Sequence, residues 1–177
     1  MSRLYYQLAR FQAWDQALCR RLNHAAQLRP VLWFFRATSR LGDGVFWYSL
    51  MLALLLWEGP AVLPGVLHMA VAALTGTLLY KWLKGRTSRP RPYQRHAAIV
   101  CRTAPLDQYS FPSGHTLHAV VFTIVALAYF PWLGPLLVGF TVLVSLSRVL
   151  LGLHYPSDVL AGAAIGALIA GAWLLAF

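Results

Sequence analysis

Five apolar stretches, separated by turns and polar segments, make up most of the chain. A helix that crosses a membrane needs about 20 predominantly apolar residues. The stretches that approach or reach this length are 45–57, which can extend back to Leu41, and 61–83, 116–130, 132–151 and 159–177. Gly162, Gly166 and Ala170 recur at every fourth position of the last stretch, which favours close packing within the chain or between copies. The pattern predicts an all-α transmembrane helix bundle of five spans over residues 41–177.

The first forty residues have a different pattern. Apolar side chains recur at intervals of three and four between arginines, at Leu4, Leu8, Phe11, Trp14, Leu18 and Leu22. This periodicity predicts an amphipathic helix, which either lies in the membrane interface or packs on loops of the bundle itself. Residues 1–40 are therefore predicted to form an interfacial helical region. The turn signal Leu41-Gly42-Asp43-Gly44 then leads into the first span.

The connectivity of these stretches has a consequence for the polar segments between them. If each stretch crosses the membrane once, the loop 84–112, His115, Arg148, His154 and Asp158 all lie on the same side. We therefore expect three separated polar segments to meet at one membrane face, where loop and helix ends can assemble a site.

Composition supports a membrane location and limits the partners. Hydrophobic residues make up 59% of the 177 positions and charged residues 11%, which is too apolar for an ordinary soluble domain. The net charge is +10, but the cations cluster in residues 1–40 and 81–102 beside apolar spans. Such clusters fit anionic headgroups or a phosphorylated substrate better than nucleic acid, and the chain carries no nucleic-acid-binding motif.

Four other residues have simpler interpretations. Cys19 and Cys101 lack partners at metal-ligand spacing and are expected to be free thiols, although the sequence does not exclude a disulfide. His68, midway along the second span, is expected to pack against or bond to a neighbouring helix. Glu58 is expected in the interface at the opposite end.

The segment Pro112-Ser113-Gly114-His115 is typical of a helix start. First-turn N–H groups have no partner within a helix, and such a terminus can bind phosphate oxygens. Ser113 can alternatively serve only as the helix cap. His115 adds a proton donor whose charge can change near neutral pH.

A second helix start follows at His154-Tyr155-Pro156-Ser157-Asp158. There Asp158 can accept the N–H of the His154 ring and leave the other nitrogen free as a nucleophile. A cation near the end of an apolar span, Arg148, needs an anion. Histidines and a carboxylate together also suggest a metal site, but Lys84, Arg91 and Arg148 would repel a divalent ion and attract phosphate.

Together these motifs resemble the three-part signature of the type-2 phosphatidic acid phosphatase (PAP2) superfamily, which also includes vanadium haloperoxidases and bacterial acid phosphatases. The three parts are Lys84-x6-Arg91-Pro92, Pro112-Ser113-Gly114-His115 and Ser147-Arg148-x5-His154-x3-Asp158. All three match without substitution and in the order of the family. Any one motif alone would be weak evidence, and the three together are highly specific.

The resemblance implies metal-independent hydrolysis of a membrane lipid phosphate or diphosphate through a phosphohistidine intermediate, with no cofactor and with vanadate as an inhibitor. It implies three catalytic residues: His154 as nucleophile, Asp158 orienting it, and His115 as acid and then base. Phosphate-binding groups implied in the same way are Lys84, Arg91, Ser113, Gly114 and Arg148. Arg86, Arg89 and Arg95 lie outside the motifs and are expected to bind headgroups or to solvate the loop.

Substrate and location follow only coarsely. Relatives suggest phosphatidylglycerol phosphate, phosphatidic acid or undecaprenyl diphosphate, and a multi-pass protein of the bacterial inner (cytoplasmic) membrane. The positive-inside rule favours a cytoplasmic site, whereas many relatives act on the outer side and have six spans. A lipid-phosphate binding or transport protein, or a haloperoxidase-like enzyme, is the alternative; the acid and nucleophile pair opposes the former and the apolar composition the latter. The oligomeric state is not readable.

Overall fold

The structure, a computed structural model, describes residues 3–176, apart from the side chains of Leu4 and Leu8. Residues 1, 2 and 177, at the ends of the two predicted regions, lie outside the described range. Eight α-helices and no strand are found in the described residues. Their bounds are α1 Arg3–Ala25, α2 Arg29–Arg40, α3 Phe46–Glu58, α4 Leu63–Thr87, α5 Pro92–Arg95, α6 Gly114–Tyr129, α7 Gly134–Leu150 and α8 Pro156–Ala176.

The five predicted apolar stretches correspond to α3, α4, α6, α7 and α8, so the all-α bundle is confirmed. Three segments are long and apolar enough to cross a membrane: Arg29–Arg95, Pro131–Leu150 and Pro156–Ala176. The first contains α2, α3 and α4, and the apolar helix Gly114–Tyr129 is shorter. The number of five spans therefore stays a prediction.

Helix α6 lies at the centre of the bundle and packs against α4, α7 and α8. Its Leu117, Val121 and Val125 are fully buried. The approach of α8 is very close, because a Cβ atom at Gly162 would lie 2.5 Å from the Ser113 carbonyl oxygen and one at Gly166 would lie 2.6 Å from that of Leu117. The predicted small-residue face of α8 therefore packs within the chain, against the start of α6.

The N-terminal region forms two helices, α1 and α2, and α1 packs on the loops of the bundle. Asn23 donates hydrogen bonds to the carbonyl oxygens of Val100 and Leu150, both at 2.9 Å. The buried face of α1 is polar or small, with Asp15, Cys19 and Asn23 at four-residue spacing. Its large exposed side chains point away from the bundle: Tyr5, Tyr6, Phe11 and Trp14. Burial against the loops is thus the arrangement adopted, and the aromatic face stays available to a membrane.

Two further expectations can be checked in the fold. His68 Nδ1 lies 2.9 Å from the Tyr129 hydroxyl, which joins α4 to α6 and confirms that this histidine bonds to a neighbouring helix. Both cysteines are free thiols; Cys19 is buried and Cys101 is exposed. Burial raises the pKa of Cys19 to about 12, so its thiol is unreactive at neutral pH.

Candidate active site

All eight predicted site residues lie together at one end of the bundle. Ser113 and Asp158 are fully buried, and the Ser113 N–H donates to the Asp158 carbonyl oxygen at 3.0 Å. The other six line a cavity of about 830 Å³: Lys84, Arg91, Gly114, His115, Arg148 and His154. The structure therefore brings the three motifs to one place.

Two of the three motif cations share a carboxylate that the sequence analysis did not single out. Lys84 Nζ contacts the Asp107 carboxylate at 2.7 and 2.8 Å, and Arg91 Nη2 contacts it at 2.8 Å. Partial burial raises the pKa of Asp107, but hydrogen bonds and charges from Lys84 and Arg91 outweigh it and hold the pKa below its ordinary value. Asp107 therefore stays ionised and occupies the two cations in the absence of an anion.

The third cation, Arg148, is buried without a carboxylate partner among residues 3–176. Its Nη1 donates to the Ser39 hydroxyl of α2. The buried Nε has no hydrogen-bond partner in the described part of the chain. A buried cation that is only partly satisfied attracts an anion, as the sequence predicted for Arg148.

His154 is fully buried apart from the edge that lines the cavity. Arg91 Nη1 lies 3.4 Å from His154 Nε2. Because a guanidinium only donates, Nε2 carries the lone pair and Nδ1 carries the proton. Burial, followed by the positive charges of Arg91 and Arg148, lowers the pKa of His154 to about 3. The ring is therefore neutral, with its lone pair next to the cations.

The predicted hydrogen bond between His154 and Asp158 is not formed in this geometry. His154 Nδ1 and Asp158 Oδ2 are 3.8 Å apart, which is beyond hydrogen-bond distance, and Nδ1 has no partner within residues 3–176. The physical reason is that other donors hold the carboxylate. Arg89 Nη1 lies 2.6 Å from it and the Tyr155 N–H 2.8 Å, and Ser110 donates its hydroxyl.

His115, in contrast, does bond to a carboxylate, because its Nε2 donates to Asp43. Asp43 lies in a widened helical turn, Leu41–Val45, that joins α2 to α3. This turn requires Gly44, which has a φ of 124° that side-chain-bearing residues rarely adopt. The turn expected at residues 41–44 is therefore present. It also carries Asp43, the carboxylate that contacts His115.

Gly114 and Ser113 differ in what they can offer a ligand. Gly114 begins α6 and lines the cavity, so its N–H is available to an anion, as at any helix start. The Ser113 hydroxyl is fully buried and lies 3.0 Å from the Thr116 hydroxyl. The backbone of this segment, rather than the serine hydroxyl, faces the cavity.

Comparison with known proteins assigns the family. The sequence profile of the PAP2 superfamily matches residues 65–177. The chain belongs to the PAP2 superfamily. It is 35% identical over 94 residues to lipid A 1-phosphatase of Rhizobium johnstonii, covering 51% of this chain and 38% of that protein. It is 33% identical over 140 residues to phosphatidylglycerophosphatase B of Bacillus subtilis, covering 73% of this chain and 60% of that protein.

A solved structure extends the likeness over nearly the whole chain. The crystal structure of Aquifex aeolicus LpxE superposes with a TM-score of 0.78 at 27% identity, covering 90% of this chain and 93% of that one. In contrast, the chain spans only 38% and 60% of the length of the two curated relatives. The PAP2 fold and its membrane-bundle character are thus shared.

In this PAP2 protein, sequence reasoning assigned no site role to three residues that touch the predicted site, Asp43, Arg89 and Asp107. It also missed Asp15, which reaches the site through Arg89 and Ser157. Arg89 was expected to bind headgroups or solvate the loop, and this was wrong, since it bonds to Asp158. One signal was available. The chain has only five carboxylates, and a rare charge in an apolar protein needs a partner.

The metal site considered from the sequence has no counterpart in the described part of the fold. Among residues 3–176, no group of three or more His, Cys, Asp or Glu side chains is placed to hold a metal ion. His115 and His154 instead contact Asp43 and Arg91, respectively.

Proposed function

We propose that this PAP2 protein hydrolyses phosphate from a membrane lipid phosphate or diphosphate without a metal ion, through a phosphohistidine formed on His154. The observation that carries the proposal is a neutral, buried imidazole whose lone pair faces a cavity lined by Lys84, Arg91 and Arg148. The named relatives, a lipid A 1-phosphatase and a phosphatidylglycerophosphatase, act on lipid phosphates and support the same reaction class.

In the first half-reaction, the substrate phosphate displaces Asp107 and binds Lys84, Arg91, Arg148 and the Gly114 N–H. Phosphoryl transfer depends mainly on positioning and on neutralising charge, and these groups provide both. His154 Nε2 attacks phosphorus, so a P–N bond forms while the bond to the leaving oxygen breaks. His115, with a proton on each ring nitrogen, gives the Nδ1 proton to that oxygen while its Nε2 proton stays bonded to Asp43.

In the second half-reaction, the lipid leaving group, an alcohol or a lipid phosphate, has departed and a water molecule takes its place. His115, now without the proton, takes one from this water as it attacks phosphorus. The P–N bond breaks, inorganic phosphate forms and His154 returns to its neutral state. Asp43 orients the His115 ring and offsets the charge that the ring carries when it holds both protons.

The shape of the cavity suggests how a lipid is bound. From the polar end the cavity continues along α3 and α4, where Met51, Ala70 and Leu74 line it. Leu74 is also exposed at the outer surface of the bundle, so an acyl or isoprenoid chain can extend sideways into the bilayer. The substrate therefore enters laterally, and phosphatidylglycerol phosphate, phosphatidic acid and undecaprenyl diphosphate all fit this description.

The reaction is tested by phosphate release from these three lipids in detergent, with and without EDTA. We expect release from at least one lipid that EDTA does not reduce and that vanadate inhibits. When the reaction with a lipid labelled in its phosphate group is quenched rapidly without acid, wild-type protein should retain the label. His154→Ala should retain none. Lipid binding without release of phosphate would instead favour a binding or transport protein, and loss of activity in EDTA would contradict the metal-free mechanism.

We also propose a multi-pass location in a bacterial inner membrane, with five spans. The exposed thiol of Cys101 lies in the loop 84–112 and can report which side the site faces. A membrane-impermeant maleimide should label it in only one of two preparations: intact spheroplasts, which expose the outer face of the membrane, or inverted vesicles, which expose the cytoplasmic face. Cys19 is buried and should react only after denaturation, which makes it an internal control. Labelling from the cytoplasmic side would favour phosphatidylglycerol phosphate, and labelling from outside would favour undecaprenyl diphosphate.

A further inference from the structure

Arg89 joins two carboxylates from distant parts of the chain. Its Nη1 contacts Asp158 Oδ1 at 2.6 Å and its Nη2 contacts Asp15 Oδ2 at 2.9 Å. The guanidinium also lies over the Tyr155 ring, with Cζ 4.2 Å from the ring centroid. Arg89 is therefore clamped on three sides, although it is not part of the family signature.

Asp15 ties the N-terminal helix α1 to the start of α8. Its side chain is 1% exposed, and besides Arg89 it accepts hydrogen bonds from both the backbone N–H and the hydroxyl of Ser157. Ser157 immediately precedes Asp158. A continuous set of contacts thus runs from α1 through Arg89 and Ser157 to the carboxylate beside His154.

The electrostatics give this arrangement a role. Two buried carboxylates next to each other repel, and a single guanidinium between them offsets that repulsion. Without Arg89, Asp158 would lose its only cationic contact among the described residues. Without Asp15, Arg89 and Ser157 would each lose a partner, and the start of α8 would be less firmly held. In both cases the position of Asp158 relative to His154 Nδ1 becomes less defined.

We propose that Asp15 and Arg89 are positioning residues for phosphoryl transfer. They hold Asp158 next to the His154 ring, 3.8 Å from Nδ1, so that the carboxylate takes the His154 N–H when the ring moves as phosphorus is attacked. This inference rests on the proposed function of His154. It makes α1, which the family signature does not include, part of the catalytic unit.

The proposal is tested with Asp15→Asn, Arg89→Gln and Arg89→Lys, measured against wild type in the same detergent. Positioning groups around a reacting side chain typically contribute about 10- to 100-fold. We expect Asp15→Asn and Arg89→Gln to lower kcat by about this factor without changing KM, because Lys84, Arg91 and Arg148 still bind the phosphate. Arg89→Lys should recover part of the loss, since its ammonium can still reach one carboxylate.

Inhibitor binding separates positioning from simple loss of folded protein. Vanadate bonds to the nucleophile nitrogen and mimics the transferring phosphoryl group, whereas inorganic phosphate binds only the cations. The Kd of vanadate should rise in parallel with the fall in kcat, and the Kd of phosphate should stay constant. A variant that is only partly folded would show fewer binding sites with both constants unchanged, and that result would overturn the proposal.

Two matched controls are available in the chain. Arg86→Gln removes an exposed cation from the last turn of α4. Among the contacts described, Arg86 touches only the Trp82 ring. Glu58→Gln removes the one carboxylate within residues 3–176 that is exposed and remote from the cavity. Both should match wild type. Because vanadate binding can be measured without turnover, the positioning role is tested even if none of the lipids is hydrolysed, an outcome that would count against the proposed function alone.

Discussion

The two histidines of the site are held in opposite ways. His154 is buried between loops, its Nδ1 is 3.8 Å from Asp158, and other donors hold that carboxylate. His115 opens onto the cavity and donates directly to Asp43. The first surroundings leave the lone pair of His154 facing the cations, and the second hold a ring proton of His115 against a carboxylate. The difference matches the division into nucleophile and proton donor.

Most carboxylates of the chain also lie at the site. Of the five in the chain, Asp43, Asp107 and Asp158 each contact a motif residue, and Asp15 reaches Asp158 through Arg89. Only Glu58 lies elsewhere. Acidic residues in this apolar chain therefore organise the site rather than the surface.

The largest effects should come from the histidines themselves. His154→Ala should lower turnover about 10⁴-fold or more, because it removes the atom that bonds to phosphorus. His115→Ala should lower it by about 10²- to 10⁴-fold with a natural lipid alcohol as leaving group. Both variants should still bind lipid phosphate, measured by equilibrium binding in detergent. Substantial activity in either would show that the two roles are assigned incorrectly.

Replacing Asp43 tests whether its contact with His115 supports the proton donor. Asp43→Asn should lower kcat by about 10- to 100-fold and leave KM unchanged, since an outer partner orients the ring but does not touch phosphate. Tyr48 is in α3 and also lines the cavity, so Tyr48→Phe is a suitable control. An equal loss in both variants would show that the effect comes from disturbing α3 and not from the carboxylate.

The segments that carry the two histidines meet where α8, which follows His154, crosses the start of α6, which carries His115. A methyl group at Gly162 would collide with the Ser113 carbonyl oxygen at 2.5 Å, so Gly162→Ala should lower the free energy of unfolding by about 1–3 kcal/mol. Gly171 lies on the same helix and a Cβ there meets nothing within 4 Å. Thermal unfolding in detergent should therefore show a lower midpoint for Gly162→Ala only, with a modest loss of activity.

The smallest expected effect concerns acidity. A histidine is neutral above its pKa, so His154 loses its lone pair only as the pH falls through about 3. In a His115→Ala background, phosphoenzyme formation should thus be roughly constant from about pH 5 to pH 8, once ionisation of the substrate near about pH 6 is corrected for. A protein group titrating inside that range would indicate that His154 is not buried as a neutral ring.

Local patterns were sufficient for the helices and for the motif residues. A run of apolar residues shows where a helix is buried because every position in it is costly to expose, and α4, α7 and α8 follow the predicted stretches closely. The amphipathic pattern before residue 40 predicted a helix, but not whether the helix packs on the bundle or lies in the membrane interface. Its buried face carries Asp15 and Asn23. The hydrogen-bond partners of these residues lie on distant loops and helix ends, which periodicity does not register.

By itself, the sequence determined the apolar bundle, the five cationic and histidine positions of the signature, and their expected meeting at one end. These features depend on hydrophobicity and on motifs within short segments. The tertiary structure decided which carboxylate belongs to which cation or histidine. Asp15 reaches Ser157 across 142 positions, Asp43 reaches His115 across 72 and Arg89 reaches Asp158 across 69. Such pairs form only when helices pack, because a buried charge takes the nearest partner in space, whatever its distance along the chain.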